Sequence, residues 1–296
     1  MLQPPPALRP GARIGVFAPS GIYDPVGLEA GIALVESWGY EVVKAPNLGA
    51  RWRVLAGTDE QRLADLDWAL RDPELDAAWM ARGGHGLTRL LGAMALDELP
   101  ARAGIGFSDG TALHVALLQD GGLQAIHGPV LHSLATLADA ASQQVLRALL
   151  SGRASTPLRG RTLVPGEGIG PWVGGNLSIL AATCGTPWQL RAEGAVLMLE
   201  DVGEPAYRLD RALQHLCNAG VLEGVVGVGV GELRNCRVPA DADWDHDDLL
   251  LDHLGPLGVP VVVDLPFGHG PRNHAWVLGG PGRLAASAGI QDLVLV

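Results

Sequence analysis

Gly106-Phe107-Ser108-Asp109-Gly110 is a GxSxG sequence, with an apolar run before it and a helical pattern after it. That context puts Ser108 at a sharp strand-to-helix turn. The two glycines permit the tight backbone and clear space around the serine. The free N–H groups of the following helix favour negative charge at the turn. A serine so placed suits nucleophilic catalysis, against the plainer reading of a turn serine. A second glycine cluster, Arg82-Gly83-Gly84-His85-Gly86, ends the preceding predicted strand. Glycines let a backbone N–H approach a reacting carbonyl, as an oxyanion hole requires. The bland alternative is a loop that needs positive φ. Its spacing fits neither dinucleotide nor phosphate-loop patterns.

A serine nucleophile needs a base, and the base needs an orienting acid. Nine histidines compete. His114, His215, His246 and His253 fall in helical stretches with no special setting. His127 begins His-Gly-Pro at a strand end. His269 lies in a glycine-rich loop after the apolar run 259–263, where an exposed functional imidazole belongs. On the residues alone both stay open, with His269 the better placed. For the acid, Glu200 ends the apolar strand AVLML, where a carboxylate is either paired or functional. Asp201 and Glu204 are nearby alternatives.

The acidic run DADWDHDDLLLD at 241–252 looks at first like a calcium loop. It has His246 where the tight-turn glycine belongs and Asp252 where a bidentate glutamate is preferred. An acidic helix N-terminus explains it better. No metal-ligand spacing occurs elsewhere, so no metal and no cofactor are expected. Cys184, Cys217 and Cys236 are widely spaced and read as free thiols in a reducing compartment.

These groups need a scaffold. The 296 residues exceed one ordinary domain, and ~150 residues per domain gives about two. Apolar residues at 48% supply real cores, and charged residues are only 18%. The net charge is −11 and Lys44 is the single lysine, so nucleic acid and anionic membrane are excluded as partners. The N-terminus lacks a secretory pattern, and no apolar run approaches a membrane span. A cytoplasmic protein is the expectation.

Strand and helix signals alternate through the first half. Apolar runs at 13–18, 40–44, 77–81, 104–107 and 125–127 read as strands. Leu28, Ile32, Val35 and Trp38 share a helix face, Thr58 to Gln61 is a capping box, and 109–119 is helical. This predicts a doubly wound, flavodoxin-like parallel sheet at 1–150, whose ligand sites lie at the strands' carboxyl ends. Residues 151–170 show little periodicity and read as a linker. A smaller C-terminal α/β domain follows at 171–296. It holds helices near 176–183, 205–219 and 245–254, and strands near 195–199, 225–230, 259–263 and 275–278.

Seven segments in this order resemble the LD-carboxypeptidases, the serine peptidases that include muramoyl-tetrapeptide carboxypeptidase and the microcin-immunity peptidases. They are RIGVFAPSG at 13–21, ARGGHG at 81–86, GFSDGTALH at 106–114, HGP at 127–129, GGNLSIL at 174–180, LMLEDVGEPAYRLDR at 197–211 and DLPFGHG at 264–270. The resemblance implies Ser108 as nucleophile, Glu200 as acid and His269 as base. It also implies an oxyanion hole from the backbone N–H groups of Gly84 and Asp109. A homodimer is the implied assembly. The implied reaction is hydrolysis of the amide between an L-centre and a terminal D-amino acid, releasing D-alanine from a murein tetrapeptide. One departure is Gly110, where the family pattern leads one to expect a bulkier apolar residue. The terminal carboxylate of such a substrate needs a cation or N–H donors. Arg82 is the candidate, because it abuts the glycine loop; pairing with a carboxylate at the core edge is the alternative. Arg208 and the linker arginines are further choices. Three other readings stay open: a microcin-immunity-type amidase of the same family; an α/β-hydrolase-like esterase, which shares GxSxG and the order Ser, acid, His; and a non-catalytic binding module that kept the cleft.

Overall fold

The structure, a computed structural model, describes residues 2–153, 157–287 and 290–294. The chain divides into two compact units, Met1–Ser155 with Asn273–Leu278, and Thr156–Arg272 with Gly279–Val296.

The first unit opens with β1 (Arg13–Phe17), α1 (Pro25–Ser37), β2 (Glu41–Lys44), α2 (Asp59–Arg71) and β3 (Ala77–Met80). It continues with β4 (Ala103–Gly106), α3 (Thr111–Gln119), β5 (Ala125–His127), α4 (Leu131–Leu134) and α5 (Ala140–Leu150). Local signals set these bounds. Asp24 caps α1 by accepting from Val26 N and Gly27 N, with Pro25 in its first turn. Thr58 and Gln61 close the expected capping box on α2. Strands β3 and β4 are buried throughout, as befits a parallel sheet covered on both faces. Strands β2, β1, β3, β4 and β5 run parallel in that order. This is the 2-1-3-4-5 order of a flavodoxin-like sheet. Trp79, fully buried in its centre, donates its indole N–H to Pro129 O at 2.9 Å.

The second unit holds β6 (Arg161–Val164), β7 (Gly166–Asn176), α6 (Leu177–Thr183), β8 (Val196–Val202) and α7 (Ala206–Asn218). Then come β9 (Gly227–Arg234), α8 (His246–Leu254) and β10 (Val261–Val263). The chain returns to the first unit for β11 (Trp276–Leu278), which pairs antiparallel with β5. It ends in the second with β12 (Pro281–Ser287) and β13 (Ile290–Val294). The second sheet has the order β13-β12-β7-β8-β9-β10-β6. Its middle strands β7, β8, β9 and β10 are parallel, and antiparallel strands flank them.

Two expectations differ from this arrangement. Residues 151–170, expected as a linker, contain β6 and the first half of β7. The 276–278 strand, expected in the second domain, completes the first sheet. Among the described residues no helix is long and apolar enough to cross a membrane.

Candidate functional site

In the first unit β1, β3 and β4 are neighbours, so the loops at their carboxyl ends meet. Gly21 N donates to Gly83 O at 3.1 Å, which ties the loop after β1 to the loop after β3. Gly84 has φ +117°, and a Cβ there would stand 3.2 Å from Gly21 Cα. Ser108 follows β4 with φ +63°, a left-handed conformation that costs a serine of order 1 kcal/mol or more. The sharp turn after β4 is the one expected from the sequence; the strain at Ser108 is added by the structure. A Cβ on Gly83 would stand 3.0 Å from Ser108 Oγ, so only glycine leaves the serine its room. Asp109 is buried, and its side chain joins all three loops. Its Oδ2 accepts from Ser20 Oγ at 2.6 Å and from Leu87 N at 2.9 Å.

Gly110 has a simple reason. Met80 Sδ, at the end of β3, lies 2.7 Å from where a Gly110 Cβ would be, and 2.5 Å from the equivalent point on Gly106. Both glycines of GxSxG accommodate one methionine. Arg82 is exposed and donates to the Ile22 carbonyl.

In the second unit the ends of β7, β8, β9 and the loop after β10 gather in the same way. Glu200, on β8, is fully buried. The β8–β9 register shifts between Leu199 and Asp201, so Glu200 sits at an irregularity of the ladder. Such irregularities re-aim side chains. Its Oε2 lies 2.7 Å from His269 Nδ1. Its Oε1 accepts from Asn176 Nδ2 at 3.3 Å. Gly268 has φ +128°, and a Cβ there would press within 3.2 Å of Glu200 Oε2. Burial is the largest influence on His269 and disfavours its charge. The Glu200 charge and hydrogen bond, with Asp201 behind, outweigh it and raise its pKa above the ordinary histidine value; Arg234 opposes weakly. The pair is therefore an imidazole held through Nδ1 whose charged form Glu200 stabilises.

The other candidates make other contacts. His127 is fully buried in β5, stacked on Trp276 with ring centroids 4.8 Å apart. Phe107 stands edge-on to it at 5.9 Å, so two aromatic rings flank His127 where His269 meets a carboxylate. His114 is buried on α3, and desolvation lowers its pKa to about 4. His253 pairs with Asp210 at 2.9 Å. Asp201 accepts from Ser178, and Glu204 pairs with Arg208 at 3.3 Å. The acidic run at 241–252 starts α8: Asp245 caps it, and Asp248 closes a capping box. Among the described residues no group of three or more His, Cys, Asp or Glu side chains could hold a metal ion. All three cysteines are free. Ser20, Asn176 and Ser178 were not singled out from the sequence. Their signal is position, since each lies at or just past the carboxyl end of a parallel strand.

The chain matches the model of the LD-carboxypeptidase N-terminal domain over residues 14–128 and that of the C-terminal domain over 169–284. A Synechocystis relative carrying a carboxypeptidase name is 39% identical, covering 97% of this chain and 96% of that protein. The murein tetrapeptide carboxypeptidase of Pseudomonas aeruginosa is 34% identical over 90% of this chain and 91% of its own. Among solved structures, the muramoyltetrapeptide carboxypeptidase of Oxalobacter formigenes matches with a TM-score of 0.87 and 28% identity, covering 95% of this chain and 98% of that one. An MccF-like protein of Bacillus anthracis shares the fold with a TM-score of 0.88 at 21% identity, over 99% of each chain. The two-unit α/β fold and the matches to both domain models lead to one conclusion: the chain belongs to the LD-carboxypeptidase family and is a hydrolase of the peptidase class.

Proposed function

We propose that the chain is a serine carboxypeptidase that releases the terminal D-alanine of murein tetrapeptides by cutting the amide between an L-centre and that residue. The observation that carries this reading is the 2.7 Å pairing of His269 Nδ1 with the buried Glu200, in a chain whose Ser108 occupies a strained strand-to-helix elbow. His269 Nε2 takes the Ser108 Oγ proton as the oxygen attacks the scissile carbonyl carbon. Glu200 stabilises the imidazolium that forms. The tetrahedral oxyanion is held by the backbone N–H groups of Gly84 and Asp109. As the C–N bond breaks, His269 returns the proton to the leaving amine, and an acyl-Ser108 ester remains. Water, deprotonated by His269, then hydrolyses that ester and regenerates the serine.

Arg82 holds the substrate's terminal carboxylate in this reading. Its bond to the Ile22 carbonyl uses part of a guanidinium that carries five N–H donors. The test is incubation with disaccharide-tetrapeptide and mass spectrometry for loss of one alanine. Turnover of p-nitrophenyl esters with no change in the tetrapeptide would replace this reading with an esterase.

A further inference from the structure

Asp201 is 2% exposed and adjoins Glu200 on β8, yet it makes no bond to His269 among those described. Four donors converge on it. Its Oδ2 accepts from Ser178 N at 2.9 Å and Ser178 Oγ at 2.7 Å. Its Oδ1 accepts from Val202 N at 2.8 Å and Asn176 Nδ2 at 3.2 Å. A carboxylate offers about four acceptor sites only when ionised, so this arrangement suits the charged form. Burial works the other way and raises the Asp201 pKa, and the Glu200 charge adds to that.

Asn176 connects the two acids. Its Oδ1 accepts from Ile179 N at 3.1 Å, capping α6, and this fixes which end of the amide faces the strand. Its single NH₂ group then serves both Glu200 Oε1 and Asp201 Oδ1. With Oε1 engaged there, Glu200 presents Oε2 to His269.

We propose that Asp201 is a positioning residue of the His269 arm: an ionised buried carboxylate that holds the Asn176 amide, and through it the rotamer of Glu200. The role rests on the reading of Glu200 and His269 given above. Among the described residues, the charged and titratable groups that act on this network are Glu200 on the same strand, Glu204 just past it, His269 from the loop after β10, Arg234 at the end of β9 and Cys236 just beyond. Burial chiefly pushes the Cys236 thiol up to about 11, with Asp201 and Glu204 contributing. Replacing Asp201 by asparagine forces an NH₂ group towards Ser178 or towards Val202 and Asn176, donor against donor. In the first case an NH₂ group crowds the Ser178 N–H and Asn176 keeps an acceptor that has lost its charge; in the second the Asn176 amide loses one of its two acceptors, and Glu200 loses its fixed partner.

The test uses the full chain with Asp201→Asn, Ser178→Ala and His269→Gln. One readout is the pH profile of D-alanine release from a murein tetrapeptide. The other is NMR titration of labelled histidine Cε1, with the His269 resonance assigned by its loss in His269→Gln. In Asp201→Asn, kcat should fall about tenfold with KM held, a part of the ~10²–10⁴ that general-base catalysis contributes. The His269 pKa should fall by roughly half a unit or more, less than the ~1–3 units expected of an opposite charge in direct contact. Ser178→Ala removes one donor and leaves the charge, so kcat should fall severalfold. It decides the matter if Asp201→Asn does not fold. A folded Asp201→Asn with unchanged kcat and unchanged His269 titration overturns the proposal, as does a fully active Ser178→Ala. A wild-type protein that releases no D-alanine, or an active His269→Gln, would instead sink the catalytic reading; the NMR titration reports on Asp201 in either case.

Discussion

Gly83 lies so close to Ser108 that no side chain fits between them. A Cβ on Gly83 would stand 2.9 Å from Ser108 Cβ and 3.0 Å from Oγ. Gly83 has no positive φ to lose, so the constraint is space alone. Gly83→Ala should therefore push the serine away and cut kcat/KM by about 10²-fold or more, with a small change in Tm. A Gly83→Ala enzyme with near wild-type kcat/KM would mean that the Ser108 side chain does not need its present place.

Ser108 should separate activity from stability. Ser108→Ala should remove ~10⁴–10⁶ in kcat and leave the fold intact. Ser108→Gly should be equally inactive and no less stable than Ser108→Ala, because glycine accepts φ +63° without strain. Thermal melts of the two variants and tetrapeptide turnover check both parts. More than a tenth of the wild-type rate in either variant removes Ser108 from the mechanism.

His269 titrates above the ordinary histidine value of ~6.5. A base must be neutral, so kcat/KM should fall as pH drops through that raised pKa, with the acid limb above pH ~6.5. Stability runs in the opposite sense. The His269 contribution is fully present below the unfolded pKa and is lost as pH rises through the folded one. In Glu200→Gln the burial that disfavours charge is left with much less opposition. His269 should then titrate lower, and kcat should drop by something on the order of 10⁴. A flat rate from pH ~5 to 8, or an active Glu200→Gln, contradicts the assignment.

Met80 and Gly110 should behave as a coupled pair. Gly110 has φ −59°, so a larger residue there faces crowding by the Met80 sulfur and no backbone strain. Gly110→Val should destabilise by ~1–3 kcal/mol. Met80→Ala in the same chain should recover part of that loss in denaturant melts, and additive effects of the two changes would show that they do not interact.

Arg82→Met distinguishes recognition from loop support. If Arg82 holds the terminal carboxylate, the variant should lose most activity on the free acid and almost none on the amidated peptide. Equal losses on both substrates would leave Arg82 with its bond to the Ile22 carbonyl as its only role, and the search would pass to Arg208.

The sequence by itself determined the order of elements from β1 to β5 in the first unit, but not α4, α5 or the return of β11. Continuous apolar strands, a threonine–glutamine capping box and a GxSxG turn are local signals, and each was read where it stands. It also narrowed the chemistry to Ser108 and a few acids and histidines. Only tertiary structure shows which of them meet. Glu200, Asp201 and Glu204 are near neighbours of the same charge. Their places on and beyond β8 send Glu200 to His269 and Asp201 to Ser178 and Asn176, while Glu204, past the strand end, pairs locally with Arg208 four residues on. His127 ends one apolar strand and His269 lies in the loop after another, but Trp276, 149 residues further on than His127, stacks on the first. The 157–170 stretch was illegible for a related reason. Gly168 and Gly170 in β7 lie against the carbonyls of Val226 and Gly194, at 2.0 and 2.1 Å from their would-be Cβ atoms. The packed face of this stretch is bare glycine while Glu167 and Ile169 lie exposed on the other, so no apolar side chains mark the buried face and the usual strand signal is lost.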